Sequence, residues 1–237
     1  MTTTVLLSPE EFDRAEVVEI EGDRYTHLFR ARRQKVGDRL RVVDGRGRAR
    51  WARVKRIDRL AGHLELAEEA PSNEPVLWLE LLVVPPKPQR LTWLIEKSTE
   101  IGVSAIRLIR SGRGPRSCGP GTLERLRRVA SAAVMQSHRS LVPEISGVHD
   151  WHELAALTAE SETTWILDPE ADTREKINVF GSTSLLVGPE GGWEEREIED
   201  MKVLGCLSLT LGPRILRTET AAVVGGALLL ASSHRTG

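Results

Sequence analysis

Two apolar runs late in this chain, Leu185-Leu186-Val187 and Leu209-Thr210-Leu211, each stop at a Gly-Pro pair, Gly188-Pro189 and Gly212-Pro213, and each then gives way to a helical pattern. A buried strand that ends in glycine leaves main-chain N–H and C=O groups open to a ligand, because no Cβ stands in the way. Ligand crevices of open α/β sheets lie beyond the carboxyl ends of the strands. The pattern therefore predicts two turns that form the walls of one pocket.

The 237 residues suffice for one large domain or two modest ones. Aromatic residues make up only 4%, so the core must be built from Leu, Val, Ile and Ala, with the tryptophans as its bulkier pieces. No signal-peptide pattern opens the chain, and its longest apolar run, Ala221 to Ala231, is too short for a bilayer, so a soluble cytoplasmic protein is expected, with no membrane partner. Cys118 and Cys206 match neither a disulfide framework nor a zinc spacing. Each is read as a free thiol, and no metal is expected.

The net charge of −1 conceals segregation. Residues 24–60 hold 14 Lys and Arg against Asp38, Asp44 and Asp58, whereas residues 144–204 hold 15 acids against 4 bases. A third stretch, 103–143, carries eight Arg and only one acid, Glu124. Basic zones of this density attract phosphate backbones through counterion release. A solvated face is the alternative for any single patch, but two separate basic zones favour nucleic acid.

Short strands at residues 17–20, 39–44, 48–57 and 63–67, with turns at Gly22, Gly37-Asp38 and Asp44-Gly45, predict a small β-barrel. A Pro71-Ser72-Asn73 linker follows, and then the rhythm changes. Strands are predicted at 76–84, 105–109, 164–167, 185–187 and 207–211, and helices at 89–101, 122–138, 194–204 and 218–232. Gly112 to Gly121 reads as a flexible, Arg-bearing loop. Alternation of strand and helix predicts a parallel sheet covered on both faces.

Val187 to Gly192 has neither a P-loop ending nor a Rossmann glycine spacing, and the chain has no G-x-S-x-G elbow. His149 and His152 form an isolated pair, read as surface residues. Covalent hydrolysis and metal catalysis are therefore poorly supported.

Several segments together resemble the RsmE family of SPOUT-superfamily methyltransferases. They are His27-Leu28-Phe29-Arg30 with Arg33 and Gly37-Asp38, Glu96 to Val103, Gln136 to Ile145, Val187 to Gly192 and Leu211 to Thr220. Enzymes of that family methylate N3 of a uridine in 16S ribosomal RNA with S-adenosylmethionine. The resemblance implies an α/β chain: a small PUA-like β-barrel RNA-binding domain over 1–70, a linker at 71–75, and a SPOUT domain over 76–237 with a C-terminal trefoil knot. It also implies a homodimer acting on 16S rRNA in the small ribosomal subunit.

By the same resemblance, Leu167, Leu186, Gly188, Pro189, Glu190, Gly191, Gly192, Leu211, Gly212, Ile215, Leu216 and Thr218 surround the cofactor, mostly through backbone contacts. Methyl transfer from a sulfonium depends on in-line positioning and electrostatics. The acceptor N3 must lose its proton, so a cation near O2 or O4 stabilises the developing anion. Arg217 is the candidate for that cation, with a salt bridge to Glu219 or Glu190 as its alternative role. Glu219 is a candidate proton acceptor, with helix capping or a dimer contact as alternatives. Gln136 and Arg139 are candidate contacts to the target nucleotide, and Arg30, Arg32, Arg33 and Lys87 candidate phosphate contacts, each with a solvated face as alternative. Met135, His138 and Leu141 depart from the residues common in the family, Glu, Gly and Arg, and Arg32 stands where an aliphatic residue is common. A non-catalytic RNA-binding protein and an enzyme acting on another RNA, such as tRNA, are the competing readings.

Overall fold

Alternating apolar residues in the first basic zone fold into a mixed sheet, and the apolar runs that follow form a parallel one. The computed structural model describes residues 2–14, 16–114, 119, 121–169, 171, 177, 179 and 181–233. They divide into two units, Met1–Glu74 with Val134–Val142, and Pro75–Ala133 with Pro143–Gly237. Cys118 and part of the Gly112–Gly121 loop lie outside the described residues.

The first unit contains β1 (Thr4–Leu6), α1 (Pro9–Arg14), β2 (Val17–Ile20), α2 (Gly22–Tyr25), β3 (Arg39–Val43), β4 (Ala49–Ile57) and β5 (Gly62–Glu69). The strand order is β1-β3-β4-β5-β2, with β1 parallel to β3 and the other pairs antiparallel. Period-two alternation sends Val18, Ile20, Leu64 and Leu66 into a core shared with Phe12, Leu40, Val42 and Val54. Sequence reading assigns no element to β1, α1 or α2, whose runs are too short to show a period. It also misses the single π turn, Thr26–Ala31, that extends α2. This wide turn buries Leu28 and Phe29 while leaving Arg30 exposed. The Phe29 ring closes over Gly62, where a Cβ would come within 2.1 Å of it.

Residues 134–142 are held in the first unit by polar contacts. Arg41, only 4% exposed, donates to the carbonyls of His138 (2.8 Å) and Pro71 (2.9 Å). His138 takes φ 60°, the left-handed conformation that glycine adopts without strain. Its ring Nδ1 shares a 2.7 Å hydrogen bond with Thr4 Oγ1.

The second unit contains β6 (Trp78–Val83), α3 (Pro88–Ile101), β7 (Ala105–Ile109), α4 (Thr122–Ser137), whose last residues join the first unit, β8 (Glu144–His149), α5 (Leu154–Ala159), β9 (Thr163–Leu167), β10 (Ser182–Val187), α6 (Glu195–Val203), β11 (Leu207–Leu209) and α7 (Thr218–Ser233). All strand pairs are parallel, in the order β11-β9-β10-β6-β7-β8. The central strands are buried on both faces, as their continuous apolar runs require. Several boundaries differ from expectation, and β10 begins at Ser182 rather than Leu185. Val76 is 93% exposed and precedes β6. β11 ends at Leu209 because Thr210 begins a turn, its Oγ1 accepting from the Gly212 N–H at 3.2 Å. β8 and α5 are further elements that sequence reading does not assign. Among the described residues, no helix is long and apolar enough to cross a membrane, and no cluster of His, Cys, Asp or Glu is placed to hold a metal.

Candidate functional site

The connection from β6 through α3 leads to β7 on one side of the sheet, and that from β10 through α6 leads to β11 on the other. The neighbouring strands β6 and β10 thus mark the point where successive connections diverge, and beyond their carboxyl ends an open sheet forms a crevice. A cleft of about 430 Å³ opens there. Pro85, Pro86, Lys87 and Pro88 line it after β6, and Pro189, Glu190 and Gly191 after β10; Thr218, Arg113, Thr122 and Arg125 complete it. Another cavity, of about 540 Å³, lies beside Trp151 and α6, but Glu194, Glu197 and Asp200 line it and no residue of the Gly188–Gly192 turn does. No residue of either glycine-terminated segment lines it, so the first cleft is the candidate site.

The start of α7, which follows the second glycine turn, meets the first glycine turn here, whereas Gly212 and its neighbours are not among the residues that line the cleft. Thr218, 3% exposed at the start of α7, donates through Oγ1 to the Gly188 carbonyl at 3.0 Å. Gly188 must lack a side chain, because a Cβ would stand 2.8 Å from the Trp193 indole. Arg113 Nη1 donates to the Gly191 carbonyl at 2.8 Å. Arg125 Nη1 donates to Thr92 Oγ1 at 2.7 Å.

Arg90, on the first turn of α3, hydrogen-bonds Glu190, and its Nε lies 3.6 Å from Glu219 Oε1. Glu219 is 7% exposed, and its Oε2 has no hydrogen-bond partner among the described residues. Arg217 is exposed and its side chain makes no hydrogen bond or ion pair there. The carboxylates proposed as its alternative partners are those that Arg90 engages.

The other expected cofactor residues are distributed along the same sheet edge. Leu167 is half-buried at the end of β9, while Leu186 is wholly buried among Leu82, Ile166 and Met201. The Leu186 side chain therefore belongs to the core, which leaves only its backbone for a ligand. Gly192 is exposed; Leu211, Gly212 and Leu216 are half-buried before α7, and Ile215 is 90% exposed. Arg30, Arg32, Arg33 and Gln136 are exposed in the first unit. Arg139, the other expected contact to the target nucleotide, is 3% exposed and its guanidinium is paired with Glu74 at 2.6 Å.

Sequence reasoning misses Arg90, Arg113 and Arg125. Arg90 carried a usable signal, since a cation in the first turn of a helix opposes the macrodipole unless acids from elsewhere meet it. Arg113 sits in a stretch without periodicity, and Arg125 reads as one more outward position of α4.

Residues 72–230 match the RNA methyltransferase domain family, and residues 20–66 match the RNA methyltransferase PUA domain. The chain is 31% identical to ribosomal RNA small subunit methyltransferase E of Mycobacterium bovis, covering 90% of this chain and 85% of that protein. It is 26% identical to the protein of the same name from Bacillus subtilis, covering 97% and 94%. The structure of ribosomal RNA small subunit methyltransferase E from Neisseria gonorrhoeae bound to S-adenosylmethionine superimposes with a TM-score of 0.86 at 27% identity, covering 98% of both chains. The chain belongs to the ribosomal RNA small subunit methyltransferase E family.

Proposed function

We propose that this protein transfers the methyl group of S-adenosylmethionine to N3 of a uridine in 16S ribosomal RNA, as a cytoplasmic homodimer acting on the small ribosomal subunit. The observation that carries this reading is the tie between Thr218, at the start of α7, and Gly188 of the first glycine turn, beside a cleft lined by Lys87, Arg113 and Arg125.

The residues fit the cofactor chemically. A glycine-rich turn offers main-chain groups at close range, and the free Oε2 of the buried Glu219 is an anionic acceptor suited to a cationic ligand. S-adenosylmethionine supplies an electrophilic methyl group carried on a sulfonium. Gly188, Pro189, Glu190, Gly191 and Gly192, with Leu211, Gly212, Ile215, Leu216 and Thr218 and the strand ends at Leu167 and Leu186, hold it in this reading. Pro85, Pro86 and Pro88 form a stiff wall that orients the acceptor base. Arg217 stabilises the negative charge that develops on the uracil oxygens as N3 loses its proton, a role its unpaired guanidinium leaves open. Glu219 receives that proton. Lys87, Arg30, Arg32, Arg33 and Gln136 bind the RNA.

The same reading divides the chain into an RNA-binding domain at 1–70, a linker at 71–75 and a SPOUT methyltransferase domain at 76–237, with the C-terminal segment threaded as a trefoil knot. The two separately matching domain families support the division. The homodimer accounts for the exposure of Trp93 on α3, Val224 on α7 and Ile215.

The test is methyl transfer from labelled S-adenosylmethionine to small ribosomal subunits lacking the modification, followed by nucleoside analysis. Labelled 3-methyluridine in 16S rRNA is expected. Cofactor binding without transfer to 16S rRNA moves the substrate to another RNA, and absence of both overturns the enzymatic reading.

A further inference from the structure

We infer that Arg90 is a positioning residue that latches the Gly188–Gly192 turn to the start of α7, an inference that takes the turn to be the cofactor site proposed above. The guanidinium hydrogen-bonds Glu190 from the turn and stands 3.6 Å from Glu219 on α7, so one side chain of α3 joins three elements. Arg90 does not line the cleft and acts through the two carboxylates.

Two physical arguments support the role. First, α3 has no acidic residue in its first turn, so the helix itself disfavours a cation at Arg90, and the partners that stabilise it come from the far side of the site. Second, Glu219 is nearly sealed from solvent, and one of its oxygens already lacks a partner. Removing Arg90 would leave a buried carboxylate with no ion-pair partner among the described residues, a costly state that the chain relieves by moving α7 or the turn.

The Gly-Pro-Glu-Gly-Gly sequence also needs an anchor. Its glycines leave it with high backbone entropy, and a ligand that must order such a turn binds more weakly than one that finds it ordered. Thr218 holds the turn at Gly188 and Arg113 holds it at Gly191; Arg90 holds the side chain between them.

The experiment compares Arg90→Ala, Arg90→Lys and Glu190→Gln with the parent chain. Amide hydrogen exchange of the ligand-free protein is read at Gly191 and Gly192, the latter bonded to the Pro189 carbonyl at 3.0 Å. Binding of S-adenosylmethionine is measured by calorimetry, and binding of a 16S rRNA fragment by filter retention. Arg90→Ala should speed exchange at the turn roughly tenfold or more and weaken S-adenosylmethionine by a similar factor, with RNA affinity unchanged; Arg90→Lys should recover part of both. Unchanged exchange at the turn in Arg90→Ala overturns the latch, whatever happens to the cofactor. If the parent chain does not bind S-adenosylmethionine, the functional reading fails while the exchange result still decides the role of Arg90. Should Arg90→Ala not fold, Glu190→Gln decides: faster exchange confined to the turn supports the latch, and parental exchange overturns it.

Discussion

Arg139 donates through Nε and Nη2 to the same Glu74 oxygen, at 2.9 and 2.6 Å. The other Glu74 oxygen accepts the backbone N–H groups of Ser140 (2.6 Å) and Leu141 (3.0 Å). The pair thereby staples the end of the first unit's main segment to residues 138–141. Both charges are satisfied internally, which gives Arg139 a structural task.

Arg139→Ala should therefore lower stability by up to about 3 kcal/mol, because it leaves the partly buried Glu74 carboxylate without its charge partner while the Ser140 and Leu141 N–H groups still bind it. Arg139→Lys should recover only part of the loss, because an ammonium cannot reproduce the planar arrangement of Nε and Nη2. Urea denaturation followed by circular dichroism measures both. A loss below about 1 kcal/mol for the alanine variant would mean that the pair contributes no more than an exposed one.

Stability should also depend on pH through the same carboxylate. Burial pushes the Glu74 carboxyl up, but the hydrogen bonds and charge of Arg139, with the Ser140 and Leu141 N–H groups, outweigh it and hold the group below its ordinary value. A lowered folded-state pKa contributes stability that is present above the ordinary carboxylate range and lost as pH falls through the lowered value. Glu74→Gln should remove that part of the acid dependence, and denaturation midpoints taken from neutral pH down through the carboxylate range will detect it. A parallel pH dependence in parent and variant would place the acid sensitivity elsewhere.

The parallel sheet and its glycine turns are legible because fully buried strands leave continuous apolar runs and glycine marks where a side chain cannot fit. His138 is legible in a different way. It stands where the family commonly has glycine, and its φ of 60° supplies the reason: the backbone geometry is glycine's, held here with help from Thr4 and Arg41. What sequence cannot show is pairing across distance. Arg90 and Glu190 are separated by 100 positions, and no local pattern marks one as the partner of the other. The same limit hides the attachment of residues 134–142 to the first unit, since α4 reads as one uninterrupted helix.

Arg217→Ala should abolish methyl transfer while leaving the melting temperature and S-adenosylmethionine affinity near those of the parent. The side chain is exposed and makes no hydrogen bond or ion pair among the described residues, so its loss should cost little stability. Any defect should therefore appear in kcat, as expected for an interaction made when charge develops rather than in the ground state. Undiminished turnover would remove Arg217 from the mechanism and direct attention to Lys87, Arg113 and Arg125 around the cleft.

The exposed cations of the first unit should appear in the salt dependence of RNA binding. Arg30, Arg32 and Arg33 follow one another along and just after the π turn, which spends its apolar side chains on the core and leaves its basic ones in solvent. Each phosphate neutralised releases condensed counterions, so each lost contact should reduce the slope of log K against log salt by roughly 0.7 on single-stranded RNA. The triple alanine variant should bind a 16S rRNA fragment more weakly at low salt, converge toward the parent at high salt, and keep its cofactor affinity. An unchanged slope would show that these arginines are a solvated face, and that the positive charge engaging RNA lies elsewhere on the chain.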